Sequence, residues 1–136
     1  MELKYKIEKE ERYALLTLDV KNLNSLIAPD LKSKFVKLST EGEINNLILN
    51  LEKVSYVDSS GLSAILTANR LWKALGVFVL TGVDSESVKK LIKISHLDSV
   101  LTIIPTVKES IEYVFMEELE REINTDEDEG PTELDE

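Results

Sequence analysis

The sequence contains no cysteine and only one histidine among its 136 residues. Without cysteine it can form no disulfide, thiolate metal site or cysteine nucleophile, a composition that suits a reducing compartment. The opening stretch MELKYKIEKEER has no apolar core of the kind that a secretory signal needs, and no apolar run in the chain is long enough to span a membrane. We therefore expect a cytoplasmic protein with no membrane partner.

Basic residues are scarce at the end of the chain, where none follows Arg121. Over the whole sequence 16 Lys and Arg face 26 Asp and Glu, a net charge of −10. Seven of those acids lie in residues 126–136, which leaves 19 acids against 16 bases elsewhere. Such a balanced body offers no large basic surface, so we expect no nucleic-acid partner. Composition predicts one domain over residues 1–122 and a disordered acidic tail over residues 123–136.

Two kinds of hydrophobic periodicity divide the body of the chain. Apolar and polar residues alternate over residues 3–9 and 13–20, which predicts two antiparallel strands joined by a short turn. From residue 25 onward, apolar strand-like runs such as LILNL and VFVL alternate with segments of helical spacing. That order predicts parallel strands joined by crossover helices. The sequence therefore predicts an α/β domain with a mixed sheet of four to five strands, an N-terminal hairpin and about four helices.

Several residues mark where these helices begin. Pro29 suits the first turn of the first helix, where its missing N–H costs nothing. The second helix is predicted over residues 59–75, and Asp84 is a candidate cap for the third. Thr106 and Glu109 have the spacing of a capping box at the start of the last helix.

The segment DSSG, residues 58–61, stands between a strand-like run and the second helix. Asp58 occupies the expected N-cap position, where its carboxylate can accept hydrogen bonds from the N–H groups of Ser60 and Gly61. Ser59 and Ser60 then lie in the first turn, at the positive end of the helix dipole. Gly61 is a poor helix former, so its presence indicates a close backbone approach. The simplest alternative is a polar cap with no further role.

A stripe of polar side chains continues from these serines along the second helix. At about 100° per residue, Ser63, Thr67 and Arg70 share one narrow face, bordered by Leu62 and Leu66. The two leucines fit either a partner-binding surface or packing against a neighbouring helix. An exposed serine at the helix start suits phosphorylation better than catalysis, because the dipole tolerates the roughly 1.5 to 2 added negative charges.

An enzymatic interpretation finds little support. Any Ser–His pair must use His96, the only histidine, which lies near the predicted end of a helix. The serines lack the G-x-S-x-G context of a nucleophile elbow, and there is no G-x-x-x-x-G-K-[ST] loop for nucleotide phosphates. Histidine and cysteine clusters for a metal are also absent from the sequence. We expect no catalytic residues, no metal and no cofactor.

The stretch VSYVDSSGLSAIL resembles the signature of the STAS domain family, the anti-sigma factor antagonists, in which a D-S-S-G motif opens the second helix. The likeness runs from about residue 3 to residue 119. It implies a small α/β domain whose helices gather mainly on one face of the sheet. It also implies transcription regulation by partner switching, with a monomer or weak dimer as the expected state.

The resemblance further implies a cycle of binding and release. In this family the unmodified antagonist binds an anti-sigma factor that is also a serine kinase, phosphorylation with ATP releases it, and a serine phosphatase resets the cycle. By this resemblance Ser59 is the phosphate acceptor and Asp58 positions it. Ser60 and Gly61 then shape the docking surface. The alternative is a STAS module that binds partners or acts as a scaffold in a signalling assembly without being phosphorylated.

Overall fold

The computed structural model describes residues 2–134, with side chains through residue 124. The strands are β1 Tyr5–Lys9, β2 Ala14–Leu18, β3 Asn22–Leu23, β4 Asn46–Asn50, β5 Tyr56–Val57, β6 Val77–Thr81 and β7 Ile103–Ile104. The helices are α1 Ala28–Thr40, α2 Ser59–Leu75, α3 Glu86–Ile94 and α4 Val107–Leu134, with a short 3-10 turn at Leu97–Ser99. None of the helices within residues 2–134 combines the length and apolarity that a membrane crossing requires.

The main sheet has five strands in the order β1-β2-β4-β6-β7. Strands β1 and β2 form an antiparallel hairpin, while β2, β4, β6 and β7 run parallel to one another. Strands β3 and β5 form a separate parallel pair. The predicted mixed sheet with an N-terminal hairpin is confirmed. The alternation of strands and helices after residue 25 is the reason, since each parallel neighbour needs a crossover.

Both faces of the sheet are covered, because side chains alternate between the two faces along each strand. Leu47 and Leu49 of β4 belong to the larger core, which includes buried residues of α1, α2 and α3. Ile48 points the other way and packs with Val79 and with Val114 of α4. Three helices therefore lie on one face and α4 lies on the other, in agreement with the expectation that the helices gather mainly on one face.

The cap predicted for α3 is wrong by one residue. Ser85, not Asp84, has the extended conformation of an N-cap, and its Oγ accepts a hydrogen bond from the N–H of Val88 at 3.5 Å. The same hydroxyl donates to the carbonyl of Ser55 at 2.6 Å. Both residue types can cap a helix, and this contact with a neighbouring loop favours the serine.

The capping pair predicted for α4 is present. The Oγ1 of Thr106 accepts a hydrogen bond from the N–H of Glu109 at 3.1 Å and donates to the Oε1 of Glu109 at 2.8 Å. In a full capping box the glutamate would accept from the N–H of the capping residue, and here it accepts from the hydroxyl instead. The pair still provides one of the free N–H groups of the first turn with a partner.

Helix α4 is longer than the composition suggests. Its backbone stays helical to Leu134, through most of the segment for which we predicted a disordered tail. Glutamate and leucine are good helix formers, which favours this continuation, whereas Gly130 and Pro131 oppose it. Residues 135 and 136 lie outside the described part of the chain, as do the side chains after residue 124. The behaviour of the tail in solution stays a prediction.

Candidate functional site

The start of α2 is tied down by hydrogen bonds around Asp58. Its side chain accepts from the N–H of Gly61 at 2.9 Å, and its extended backbone, with φ −99° and ψ −174°, is that of an N-cap. The N–H of Asp58 donates to the carbonyl of Leu23 at 3.1 Å, and its own carbonyl accepts from Leu62 at 2.9 Å. The predicted N-cap is confirmed. Its carboxylate binds Gly61 alone and not Ser60 as well.

The two serines of the motif differ in exposure. Ser59 is the first residue of α2 and its side chain is exposed, whereas Ser60 is half-buried. Within the described side chains, neither hydroxyl has a hydrogen-bond partner in the protein. The free N–H groups of the first turn and the positive end of the helix dipole lie next to them. The hydroxyl of Ser59 is therefore exposed to solvent and lies in an environment that favours negative charge.

Gly61 is required by a close approach between two segments. It is buried, and a Cβ added to it would overlap the carbonyl oxygen of Leu23. The same Cβ would lie 2.8 Å from the Cγ of Leu23 and 2.9 Å from the Cγ1 of Val57, which are closer than real Cβ contacts. The prediction of a close backbone approach is confirmed, and its partner is β3.

The pairing of β3 with β5 also determines what surrounds the serines. Because these two short strands are parallel and in register from Asn22 with Tyr56 to Leu23 with Val57, the segments that follow them emerge side by side. One segment leads into α1 and the other leads into α2. The amino ends of two helices are thus placed next to each other.

A cavity of about 430 Å³ lies between these two helix starts. Its lining residues are Ser25, Ala28, Pro29, Lys32, Ser59, Ser60 and Ser63. Lys32 is the cationic residue of this lining, and none of the ion pairs found among the described residues includes it. The cavity combines hydroxyl groups, the positive ends of two helices and one ammonium group, a set that suits an anionic group.

The predicted partner-binding residues are only partly at the surface. Arg70 is exposed, and Ser63, Leu66 and Thr67 are half-buried. Leu62 is 9% exposed and belongs to the main core, which supports the alternative of packing inside the protein. It lies on the side of α2 that turns toward neighbouring elements, which leaves it almost no surface for a partner.

His96 gives no support to a serine-hydrolase interpretation. It follows α3 with φ 60° and ψ 26°, a left-handed conformation that ends the helix, and its side chain is exposed. None of the hydrogen bonds in the described part of the chain joins its ring to Ser59. The described residues also contain no group of three or more His, Cys, Asp or Glu side chains arranged to bind a metal.

Comparison with known proteins gives both a family and similar folds. The family model of the STAS domain matches residues 5–110. The anti-sigma factor antagonist SpoIIAA in its unphosphorylated form is 24% identical with a TM-score of 0.70, covering 82% of this chain and 96% of that one. A candidate anti-sigma factor antagonist from Thermotoga maritima is 26% identical with a TM-score of 0.67, covering 82% and 93%. The Bacillus cell fate determinant SpoIIAA in its phosphorylated form is 23% identical with a TM-score of 0.64, covering 82% and 99%.

Proposed function

The chain belongs to the STAS domain family, and we propose that it is an anti-sigma factor antagonist switched by phosphorylation of Ser59. Unmodified, it binds an anti-sigma factor that is also a serine kinase, and the modified form is released. The proposal assigns the protein a non-enzymatic, cytoplasmic role. Solved structures of similar fold are described as anti-sigma factor antagonists, and one of them, SpoIIAA, exists in unphosphorylated and phosphorylated forms.

The observation that carries the proposal is the exposed hydroxyl of Ser59 at the first turn of α2. In the phosphoryl transfer, the Oγ of Ser59 forms a bond to the γ-phosphorus of ATP and the bond to the β,γ-bridging oxygen breaks. ADP leaves, and the hydroxyl proton passes to a base of the kinase. Ser60 is half-buried in the same turn and is the poorer acceptor.

The geometry supports a modification that alters docking more than folding. A phosphoryl group adds about 1.5 to 2 negative charges and three acceptor oxygens. The helix dipole and Lys32 in the adjoining cavity favour that charge, whereas the neighbouring carboxylate of Asp58 opposes it. These effects partly cancel within the protein. The surface around Ser63, Thr67 and Arg70, however, changes the charge that it presents to a partner.

Mass spectrometry of the protein from its own cells tests the acceptor. We expect a species heavier by one phosphoryl group, with the modification mapped to Ser59. The variant Ser59→Ala abolishes this species, and the matched variant Ser60→Ala, one residue along the same turn, retains it. Undiminished phosphorylation of Ser59→Ala would refute the assignment, and absence of the species in every growth state would favour a STAS module that binds constitutively.

The switch is tested by comparing two forms of the full chain, one with serine and one with genetically incorporated phosphoserine at position 59. We expect the serine form to retain an ATP-binding serine kinase on an affinity column and the phosphoserine form to lose it. A serine phosphatase then restores binding. Equal retention by both forms would contradict the proposed switch even if Ser59 proved to be phosphorylated.

A further inference from the structure

Helix α4 has apolar side chains on two opposite sides. The side that packs on the sheet is centred on Val114, which is fully buried, with Ile111 packed beside it. A second set is exposed to solvent. We call it the outer stripe; its members and their exposed fractions are Phe115 45%, Met116 57%, Leu119 49% and Ile123 46%.

The outer stripe faces away from the sheet except at Phe115, whose ring lies 6.2 Å from that of Tyr13. At about 100° per residue, its members lie roughly 100° to 200° around the helix from Val114. The residues 115, 119 and 123 are successive i, i+4 neighbours, the spacing by which an amphipathic helix is recognised. From residue 115 to residue 123 the helix rises about 12 Å. That length accommodates two turns of a docking helix.

Contacts on the inner side fix the orientation of α4. The guanidinium of Arg121 donates to the carbonyl of Gly76 at 2.7 Å, and Arg12 pairs with Glu118 at 3.0 Å. The second carboxylate oxygen of Glu118 accepts from the Nδ2 of Asn46, which is buried in β4, at 2.6 Å. The helix cannot rotate to bury the outer stripe without breaking this network. The exposed apolar residues are therefore a fixed feature of this face.

The border of the outer stripe is acidic. Between residues 107 and 124, α4 carries two basic residues and six glutamates, and one of the bases, Arg121, is engaged with Gly76. Glu112, Glu120 and Glu122 are exposed beside the stripe. Burial, and then the charge of Glu120, raise the pKa of Glu117 on the same helix. The seven acids of residues 126–136 extend the negative charge along the chain.

We propose that the outer stripe binds a basic amphipathic helix of a partner protein. The apolar residues would receive its apolar face, and the glutamates on the border would pair with its lysines or arginines. A second copy of this chain is the poorer occupant, because it would bring a second set of like charges against the first. This surface lies on the face of the sheet opposite Ser59, so the proposal does not depend on phosphorylation.

The test uses the full chain and two fluorescent 18-residue peptides of identical composition. One has leucines at helical spacing on one side and lysines elsewhere; the other has the same residues in scrambled order. We expect fluorescence anisotropy to show at least tenfold tighter binding of the amphipathic peptide. The double variant Met116→Gln/Leu119→Gln weakens this binding at least tenfold. The control variant Ile94→Gln, which removes a 64% exposed apolar side chain of α3, leaves it unchanged.

Other outcomes overturn the proposal. Equal binding of the two peptides, or equal loss in both variants, would show non-specific attraction to an acidic protein. A concentration-dependent dimer that the double variant converts to a monomer would assign the outer stripe to a second copy. Binding of the chain to phosphatidylcholine vesicles that the double variant abolishes would assign it to a lipid surface. Circular dichroism of each variant verifies that α4 is still folded.

Discussion

Replacing Gly61 by alanine sets two physical effects against each other. In the interior of a helix alanine is more favourable than glycine by about 1 kcal/mol, so helix propensity alone predicts a more stable protein. The structure predicts the reverse. The added Cβ would overlap the carbonyl oxygen of Leu23 and would lie within 3 Å of the side chains of Leu23 and Val57.

The packing effect should win. Inserting a methyl group into a closely packed position costs about 1 to 3 kcal/mol. The upper end applies here, because the nearest atom belongs to the backbone and cannot rotate away. That carbonyl also accepts the hydrogen bond from Asp58, so displacing Leu23 loosens the contact that joins β3 to the start of α2. Subtracting the gain in propensity leaves a net loss of about 2 kcal/mol.

Urea unfolding monitored by the fluorescence of Trp72 measures this difference. Trp72 is the only tryptophan, is fully buried, and donates to the carbonyl of Ile44 at 3.1 Å, so its emission reports on the core. With a urea m-value of about 2 kcal/mol/M, Gly61→Ala should lower the midpoint by about 1 M. Ser60→Ala, one residue earlier, should stay within about 0.5 kcal/mol of the parent protein. A Gly61→Ala protein as stable as the parent would refute the reasoning.

Three further changes test the cap, the core and the outer helix. Asp58→Ala should lower the free energy of unfolding by about 1 kcal/mol through loss of the bond to Gly61, and Asp58→Asn should restore most of it; equal losses would contradict a cap. Trp72→Phe should lower the free energy of unfolding by about 2 kcal/mol, measured by urea unfolding followed by circular dichroism, because the buried carbonyl of Ile44 loses its hydrogen-bond donor. An unchanged free energy of unfolding would contradict this. Burial raises the pKa of Glu117 in the folded protein. The free energy of unfolding therefore falls as the pH rises and this carboxyl group becomes charged. Glu117→Gln should therefore raise the melting temperature at neutral pH, but not at about pH 3.5, below the usual glutamate pKa of about 4.3; equal gains at both would contradict the assignment.

The sequence predicted α2 well because its signals are local. Asp58 is a strong N-cap, and the apolar spacing that follows continues without a break to Gly76, so the predicted range 59–75 matches the observed helix. The cap of α3 was missed because Asp84 and Ser85 are adjacent and both suitable. The choice between them depends on the contact of Ser85 with Ser55, 30 positions away in the chain.

The surroundings of Ser59 could not be predicted in the same way. Ser25 and Lys32 line its cavity only because β3 pairs with β5, and strands of two residues are too short to show a periodicity. The sequence also could not predict that α4 lies on the opposite face of the sheet. The apolar character of β4 indicates burial on both faces but does not say which helix covers each one. The sequence of α4 does not reveal which of its sides is exposed, since Phe115 and Leu119 have the spacing of core residues.

The two proposed surfaces should act independently. Ser59 is on the side of the sheet that carries α1, α2 and α3, and the outer stripe faces outward from the other side. Two layers of about 10 Å each separate the helices on the two faces, more than the Debye length of about 8 Å at physiological ionic strength. Phosphoserine at position 59 should therefore change the affinity of the outer stripe for the amphipathic peptide less than twofold. A larger change would mean that the sheet couples the two faces, so that phosphorylation of Ser59 would also alter binding at the outer stripe.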